Sequence, residues 1–282
     1  MKQNYSKGTS LAMIAGMYVT AIGIGVLNFA RALDVMPEMW ALLLADVLVT
    51  VVVWGWGIAF GNVSVYDPYW SVIPPVAFTG WAFYKGCFTL PVILLLIAVW
   101  VWGIRLTGNW AWTFKGLGHE DWRYTRYRET LSPFLFHVTN FFGLNLMPTL
   151  LVFACMLPGF GLFDTVDANW LTWVGFALCL AATGIELTAD VQSHRFRTAH
   201  PGEVCDAGLW KHGRHPNYFG EILMWWGVWL MYASLHGVDW LLLAPLAMTC
   251  LFLFVSIPMM ERRQLSSKPA YAAYRKKTRL FI

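Results

Sequence analysis

The sequence predicts an all-α fold, a polytopic membrane helical bundle of seven or eight transmembrane helices. Three observations carry that prediction. The chain of 282 residues is 58% apolar and 17% aromatic, only 13% of it is charged, and its mean hydropathy is +0.52. A soluble domain carries about 25% charged residues, so a soluble fold of this size would lack the charge to cover its surface. Many of the 17 Trp and 11 Tyr fall near the ends of apolar runs, as an interfacial aromatic belt requires.

Seven apolar runs cover residues 11–30, 39–60, 90–103, 141–160, 169–189, 218–235 and 240–258; a helix crosses a bilayer in about 20 residues. An eighth run, 72–83, is short and holds Pro74-Pro75. It reads as a span, a half-helix or a re-entrant segment, which gives eight spans or seven. Residues 1–10 are polar and lead into a full-length run, so no cleavable signal peptide is expected. Residues 1–60 read as N-terminal transmembrane helices. Residues 61–282 read as one continuous membrane domain.

The basic residues set the expected orientation. Segments 105–128, 195–214 and 262–279 hold sixteen of the twenty Lys and Arg, and two spans separate each from the next. All three then lie on one face, joined in an eight-span arrangement by Lys2 and Lys7. The connections 161–168 and 236–239 hold no Lys or Arg. By the positive-inside rule the basic face is cytoplasmic.

The most informative stretch is Gly208 to Glu221. It packs Lys211, His212, Arg214, His215, Asn217, Tyr218 and Glu221 at the mouth of an apolar segment. Such groups are costly there and tend to be functional. Pro216 suits a first helical turn, whose free N–H groups favour anions. Lys211 and Arg214 would supply charge-assisted bonds to phosphate. A lone basic helix start is more often a snorkelling anchor, but snorkelling needs no Asn, Tyr or Glu. A second element runs from Glu186 through Asp190 and Gln192 to Arg197. At helical spacing Glu186, Asp190 and Arg197 share a face; the plain alternative is a helix end with local ion pairs. A third holds Arg105, Asn109 and the Gly118-His119-Glu120-Asp121 loop. A fourth is Tyr66-Asp67-Pro68-Tyr69, where Asp67 is the one carboxylate between Asp46 and Glu120. Its plain reading is a turn residue before Pro68.

Several chemistries are absent from the pattern. There is no GxGxxG and no P-loop, so no soluble dinucleotide module is expected. Cys87, Cys155, Cys179, Cys205 and Cys250 are scattered without a CxxC, which argues against a disulfide framework or a thiolate zinc site. The seven histidines cannot assemble a membrane di-iron centre, because His236 falls on the far face. No stack of charges crosses the bilayer as in an ion pump, and nothing suggests nucleic acid.

These motifs resemble the steroid 5α-reductase superfamily of 3-oxo-5α-steroid 4-dehydrogenase-like membrane reductases, and more closely its bacterial branch of uncharacterised membrane proteins. The resemblance rests on Glu186, Asp190, Gln192 and Arg197, on Gly208-Leu-Trp with Arg214 to Glu221, on Arg105 with the 118–121 loop, and on Glu261-Arg262 before Tyr271 and Tyr274. It covers roughly residues 60–282. It implies a cytoplasm-facing cofactor-binding cap in which NADPH reduces the C=C bond of a lipophilic α,β-unsaturated ketone. The cofactor positions it implies fall on Asp190, Arg197, Asn217 and Glu221; with Arg105, Gln192, Lys211, Arg214, His215, Tyr218 and Arg262 they form the expected cofactor set. The family's catalytic carboxylate position falls next to Asp67, which is the expected catalytic carboxylate. The family's tyrosine position falls on Trp102, so Tyr69, Tyr66 or Tyr84 would take its place.

Two other readings compete. The isoprenylcysteine and phospholipid methyltransferases, which use S-adenosylmethionine, share the Arg-His-Pro-x-Tyr element. They add a Glu-Glu pair near the C-terminus, where this chain has Glu261-Arg262. NADPH carries three phosphates and calls for Arg, whereas the sulfonium calls for acids; the cation count favours NADPH. The third reading is a non-catalytic lipid-binding scaffold. The expected partners are a lipophilic small molecule and membrane lipids. The expected site is a bacterial inner membrane, or the endoplasmic reticulum membrane of a eukaryote.

Overall fold

The computed structural model describes residues 5–282, so Lys2 lies outside the described residues. Ten helices hold the argument: α1 (Lys7–Ala32), α2 (Glu38–Phe60), α3 (Tyr69–Lys85), α4 (Leu90–Thr113), α5 (Trp122–Thr130), α6 (Pro133–Asp164), α7 (Trp170–Ala199), α8 (Pro216–His236), α9 (Trp240–Ser267) and α10 (Tyr271–Lys277). No β-strand occurs among the described residues; Gly213 and Arg279 form an isolated bridge.

Among the described residues six helices, α1, α2, α4, α6, α7 and α9, are long and apolar enough to cross a membrane. The run at 72–83 is helical and lies within α3, whose 17 residues reach roughly 25 Å at about 1.5 Å per residue. That is short of a hydrocarbon core of about 30 Å. Pro74 and Pro75 sit in its second turn without ending it, because only the ladder bonds of their own nitrogens are lost. α8 has 21 residues but carries Asn217, Glu221 and three Trp, and it is not among the six.

Local chemistry explains the helix ends. Asn169 and Thr172 form a capping box at α7. Asp121 caps α5, and Ser132 caps α6 ahead of Pro133. α2 stops at Gly61, whose φ of 64° is left-handed and favours glycine. Two helices carry a wide turn, at Thr139–Leu146 in α6 and Phe252–Ser256 in α9. In the first, Asn145 Nδ2 turns back to donate to the Asn140 backbone and side-chain oxygens at 2.7 and 2.9 Å.

The chain divides into two compact units. One comprises residues up to Pro74 together with Leu106–Phe153; the other comprises Pro75–Arg105 and Ala154–Ile282. In the first, α1 packs on α2, and Tyr18 donates to the Val65 carbonyl at 3.0 Å. Thr50 and Thr149 share a buried hydrogen bond of 2.7 Å. The loop before α5 is tied to the end of α2. Asn62 Nδ2 donates to the Leu117 and His119 carbonyls, the Val63 N–H donates to Glu120, and the Asp121 N–H donates to Ser64 Oγ.

In the second unit the tightest pairing is α7 on α8. Gly175 and Gly227 face each other there. A Cβ on Gly227 would meet the Gly175 carbonyl at 2.9 Å, and one on Gly175 would meet the Gly227 carbonyl at the same distance. Without a hydrophobic drive between helices in lipid, such small-residue contact is what lets backbones pack closely. Phe78, Trp81 and Phe160 build an aromatic cluster in the same unit.

Candidate functional site

The site grows from the segment that precedes α8. Gly208 turns with φ of +59°, and its missing Cβ leaves room for the Gln192 carboxamide. Gln192 Oε1 accepts the Leu209 N–H at 2.8 Å, and the Trp210 indole donates to the Ala189 carbonyl at 2.9 Å. The end of α7 therefore holds this turn. The C-terminal residues hold its other side: Arg214 N–H donates to the Arg279 carbonyl at 2.9 Å and His215 N–H to Leu280 at 3.2 Å.

Glu261 is the hub behind this turn. Its buried carboxylate accepts from Arg214 Nε at 2.8 Å, His215 Nε2 at 3.3 Å and Arg275 Nε at 2.9 Å. Arg214 also donates to the carbonyls of Thr278 and Arg275. A carboxylate only accepts, so His215 keeps its proton on Nε2. Burial holds the His215 imidazole down at about 4, with the Glu261 bond opposing and the Arg214 charge assisting. The ring is neutral near pH 7 and stacks on Tyr218, centroids 5.3 Å apart.

A cavity of about 180 Å³ opens at this point within the second unit. α7 contributes Asp190, Ser193 and Arg197 to its wall, and the start of α8 contributes Arg214, His215, Asn217 and Tyr218. The C-terminal segment adds Lys268, Tyr271 and Tyr274. Six of the eleven cofactor positions named from sequence thus meet at one wall. Arg105, Gln192, Lys211, Glu221 and Arg262 do not line it.

Each of those five is placed for another purpose or exposed. Gln192 secures the turn. Lys211 and Arg262 face solvent. Arg105 is buried and committed to acids: one Nη donates to Asp190 at 2.8 Å and the other to Glu186. Among the described residues Arg105 Nε and Glu186 Oε1 have no hydrogen-bond partner, so this ion cluster is not fully satisfied. Glu221 is buried and accepts the indole N–H groups of Trp102 and Trp225, each at 3.0 Å. Trp102 therefore serves a carboxylate in the second unit.

In the first unit, Asp67 is met by Tyr124 and Arg123 of α5. The Tyr124 hydroxyl donates to Asp67 Oδ1, and Arg123 Nη2 lies 3.4 Å from the same oxygen. Arg123 Nε is held by Asp121 at 2.8 Å. The Asp67 side chain is 19% exposed. Burial pushes its carboxyl up to about 6, against the pull of Arg123 and the Tyr124 hydrogen bond. Tyr124 is itself buried, and burial followed by the Asp67 charge raises its phenol well above the usual range.

The tyrosines named from sequence point elsewhere. Tyr69 donates to Asp46 Oδ1 at 2.7 Å, and Tyr66 bonds the Asn145 carbonyl and Thr149, both at 2.8 Å. Tyr84 lies beside Trp81, under the Lys85 ammonium. Tyr124 was missed; its sequence signal is its place in the first turn of a helix capped by Asp121. Glu261 and Lys268 were missed as site residues too, since their partners are distant in sequence. Among the described residues no group of three His, Cys, Asp or Glu could hold a metal ion, and all five cysteines are free thiols.

A model of the family described as "Protein of unknown function (DUF1295)" matches residues 53–278. An uncharacterized protein of Schizosaccharomyces pombe is 25% identical over 298 residues, an alignment covering 92% of this chain and 83% of the yeast protein. No solved structure gives a significant match.

Proposed function

Because the chain belongs to the DUF1295 family, which lies in the steroid 5-alpha reductase-like superfamily, we propose that it is a membrane-embedded, NADPH-dependent reductase. Its substrate is a lipophilic α,β-unsaturated ketone, such as a 3-oxo-Δ4 steroid or another lipid enone, taken from the bilayer. We extend the proposal to a bundle of seven or eight spans. The basic segments and the C-terminus then face the cytoplasm, across a bacterial inner membrane or a eukaryotic endoplasmic reticulum membrane.

The observation that carries the reading is the cavity wall that joins Asp190, Arg197, Arg214, His215, Asn217 and Tyr218. The donor set suits a nicotinamide dinucleotide. Arg197 and Lys268 offer charge to phosphate. Asn217 and neutral His215 offer hydrogen bonds to hydroxyl and amide groups. Trp210, Tyr218 and Tyr271 offer flat apolar faces to rings. When bound, the cofactor supplies the hydride.

The protein's own part is to hold the enone and stabilise the enolate charge that develops on its oxygen. For that task we propose Asp67 with Tyr124, a proton-bearing pair, in place of Tyr66, Tyr69 or Tyr84. With a carboxyl pushed up to about 6, the pair still carries a transferable proton in mildly acidic conditions.

Equilibrium titration of the purified protein with NADPH and with S-adenosylmethionine tests the reading. Saturable NADPH binding, weakened at least tenfold or so by Arg197→Ala, is expected. Tight S-adenosylmethionine binding with none of NADPH would sink the reductase and favour the methyltransferase.

A further inference from the structure

A cavity of about 180 Å³ is small for a dinucleotide, since sites for drug-sized ligands run from roughly 300 to 1,000 Å³. A second cleft of about 590 Å³ adjoins it, between the 202–206 loop and α10. Val204, Lys268 and Tyr274 line both spaces, so the two share a wall.

The charge at that wall is distinctive. Arg105 is matched by Glu186 and Asp190, and Arg214 and Arg275 are matched by Glu261. Arg197 and Lys268 form no ion pair among the described residues. Arg197 Nε donates to the Ser193 carbonyl at 3.2 Å, and Lys268 Nζ donates to the Glu203 carbonyl at 2.6 Å. Burial and then the Arg197 charge hold the Lys268 ammonium below its ordinary range. Lys268 lines both spaces and Arg197 the smaller one; two cations that disfavour each other invite an anion between them. Beyond them the larger cleft offers Phe196 and Tyr274 as ring surfaces, and Glu203 and Asp206 as acceptors for hydroxyl or amino donors.

We propose that the two clefts are one extended site, with the adenosine half of the dinucleotide in the larger cleft and its ribose-borne phosphate between Arg197 and Lys268. Lys268 is then the residue that distinguishes NADPH from NADH. The identity of the ligand rests on the reductase reading; the shared wall and its two cations do not.

The test uses the full chain in lipid nanodiscs, with NADPH, NADH and adenosine 2′,5′-bisphosphate as probes. Lys268→Gln is expected to weaken NADPH and the bisphosphate by about tenfold or more while leaving NADH unchanged. Ala273→Trp, at an exposed position lining the larger cleft, is expected to weaken all three. Circular dichroism checks that both variants fold. Wild-type binding of NADPH that neither variant alters overturns this inference and leaves the reductase reading standing. A wild-type protein that binds neither dinucleotide ends both.

Discussion

Tyr124 donates its hydroxyl proton to the Asp67 carboxylate across 57 residues of sequence. The contact exists because the Asn62, Val63 and Ser64 bonds fasten the loop before α5 to the end of α2. It gives the first unit a carboxyl–phenol pair.

That pair makes the rate depend on pH in a defined direction. The Asp67 carboxyl sits at about 6, so the proton-bearing form is lost as pH rises through 6. Enone reduction is expected to decline above that value. Tyr124→Phe is expected to lower the rate by about 100-fold. It should also move the break to higher pH, since the lost hydrogen bond favoured the ionised carboxylate. Asp67→Asn should remove the break. A pH–rate profile of the three proteins checks this, and an unshifted break in Tyr124→Phe would contradict it.

Glu221 is expected to behave as a structural carboxylate. Its oxygens accept two indole N–H groups, from Trp102 and Trp225. Glu221→Gln turns an amide donor towards one of them and leaves an N–H without an acceptor, at a cost of about 1–3 kcal/mol. Thermal unfolding should register that loss, and NADPH affinity should not. A changed affinity with unchanged stability would return Glu221 to the binding site.

Arg105 is expected to act in the same structural sense, more strongly. Arg105→Ala leaves buried Glu186 and half-buried Asp190 without the cation they share, a loss of about 3–5 kcal/mol. Adding Glu186→Gln to that variant should recover part of it. Additive losses in the double variant, measured by unfolding, would show that the three groups are not coupled.

His215 predicts a pH dependence of stability. Its folded value is about 4 against an ordinary 6.5, so between those values the unfolded chain binds a proton that the folded chain does not. Stability is therefore lost as pH falls through that window, by roughly 3 kcal/mol at its foot. His215→Asn should show a shallower fall than the wild type when unfolding is followed across the same range.

The parts legible in the sequence were those set by local period and composition. The positions of α1, α2 and α7 follow apolar runs, and Asp190 and Arg197 meet at one wall because helical spacing puts them on one face. The Arg214–Tyr218 cluster was legible because polar groups at the mouth of an apolar segment are costly. What could not be read were pairings across distance. Arg105 and Glu186 are 81 residues apart and Trp102 and Glu221 are 119 apart, so a carboxylate held by an indole looks the same in sequence as one awaiting a ligand. The Pro74-Pro75 pair looked like a break, yet α3 begins early enough to carry both in its second turn.

The central claim is hydride transfer to a lipid enone, and isotope transfer tests it most directly. The purified protein is given an enone and NADPH deuterated at the reducing position of its nicotinamide ring, and the product is weighed by mass spectrometry. The reductase account predicts a saturated ketone carrying one deuterium at the former β-carbon, with the label absent from Asp67→Asn reactions. An unlabelled, unreduced enone in the presence of bound NADPH, or a methylated lipid formed from S-adenosylmethionine, would contradict it.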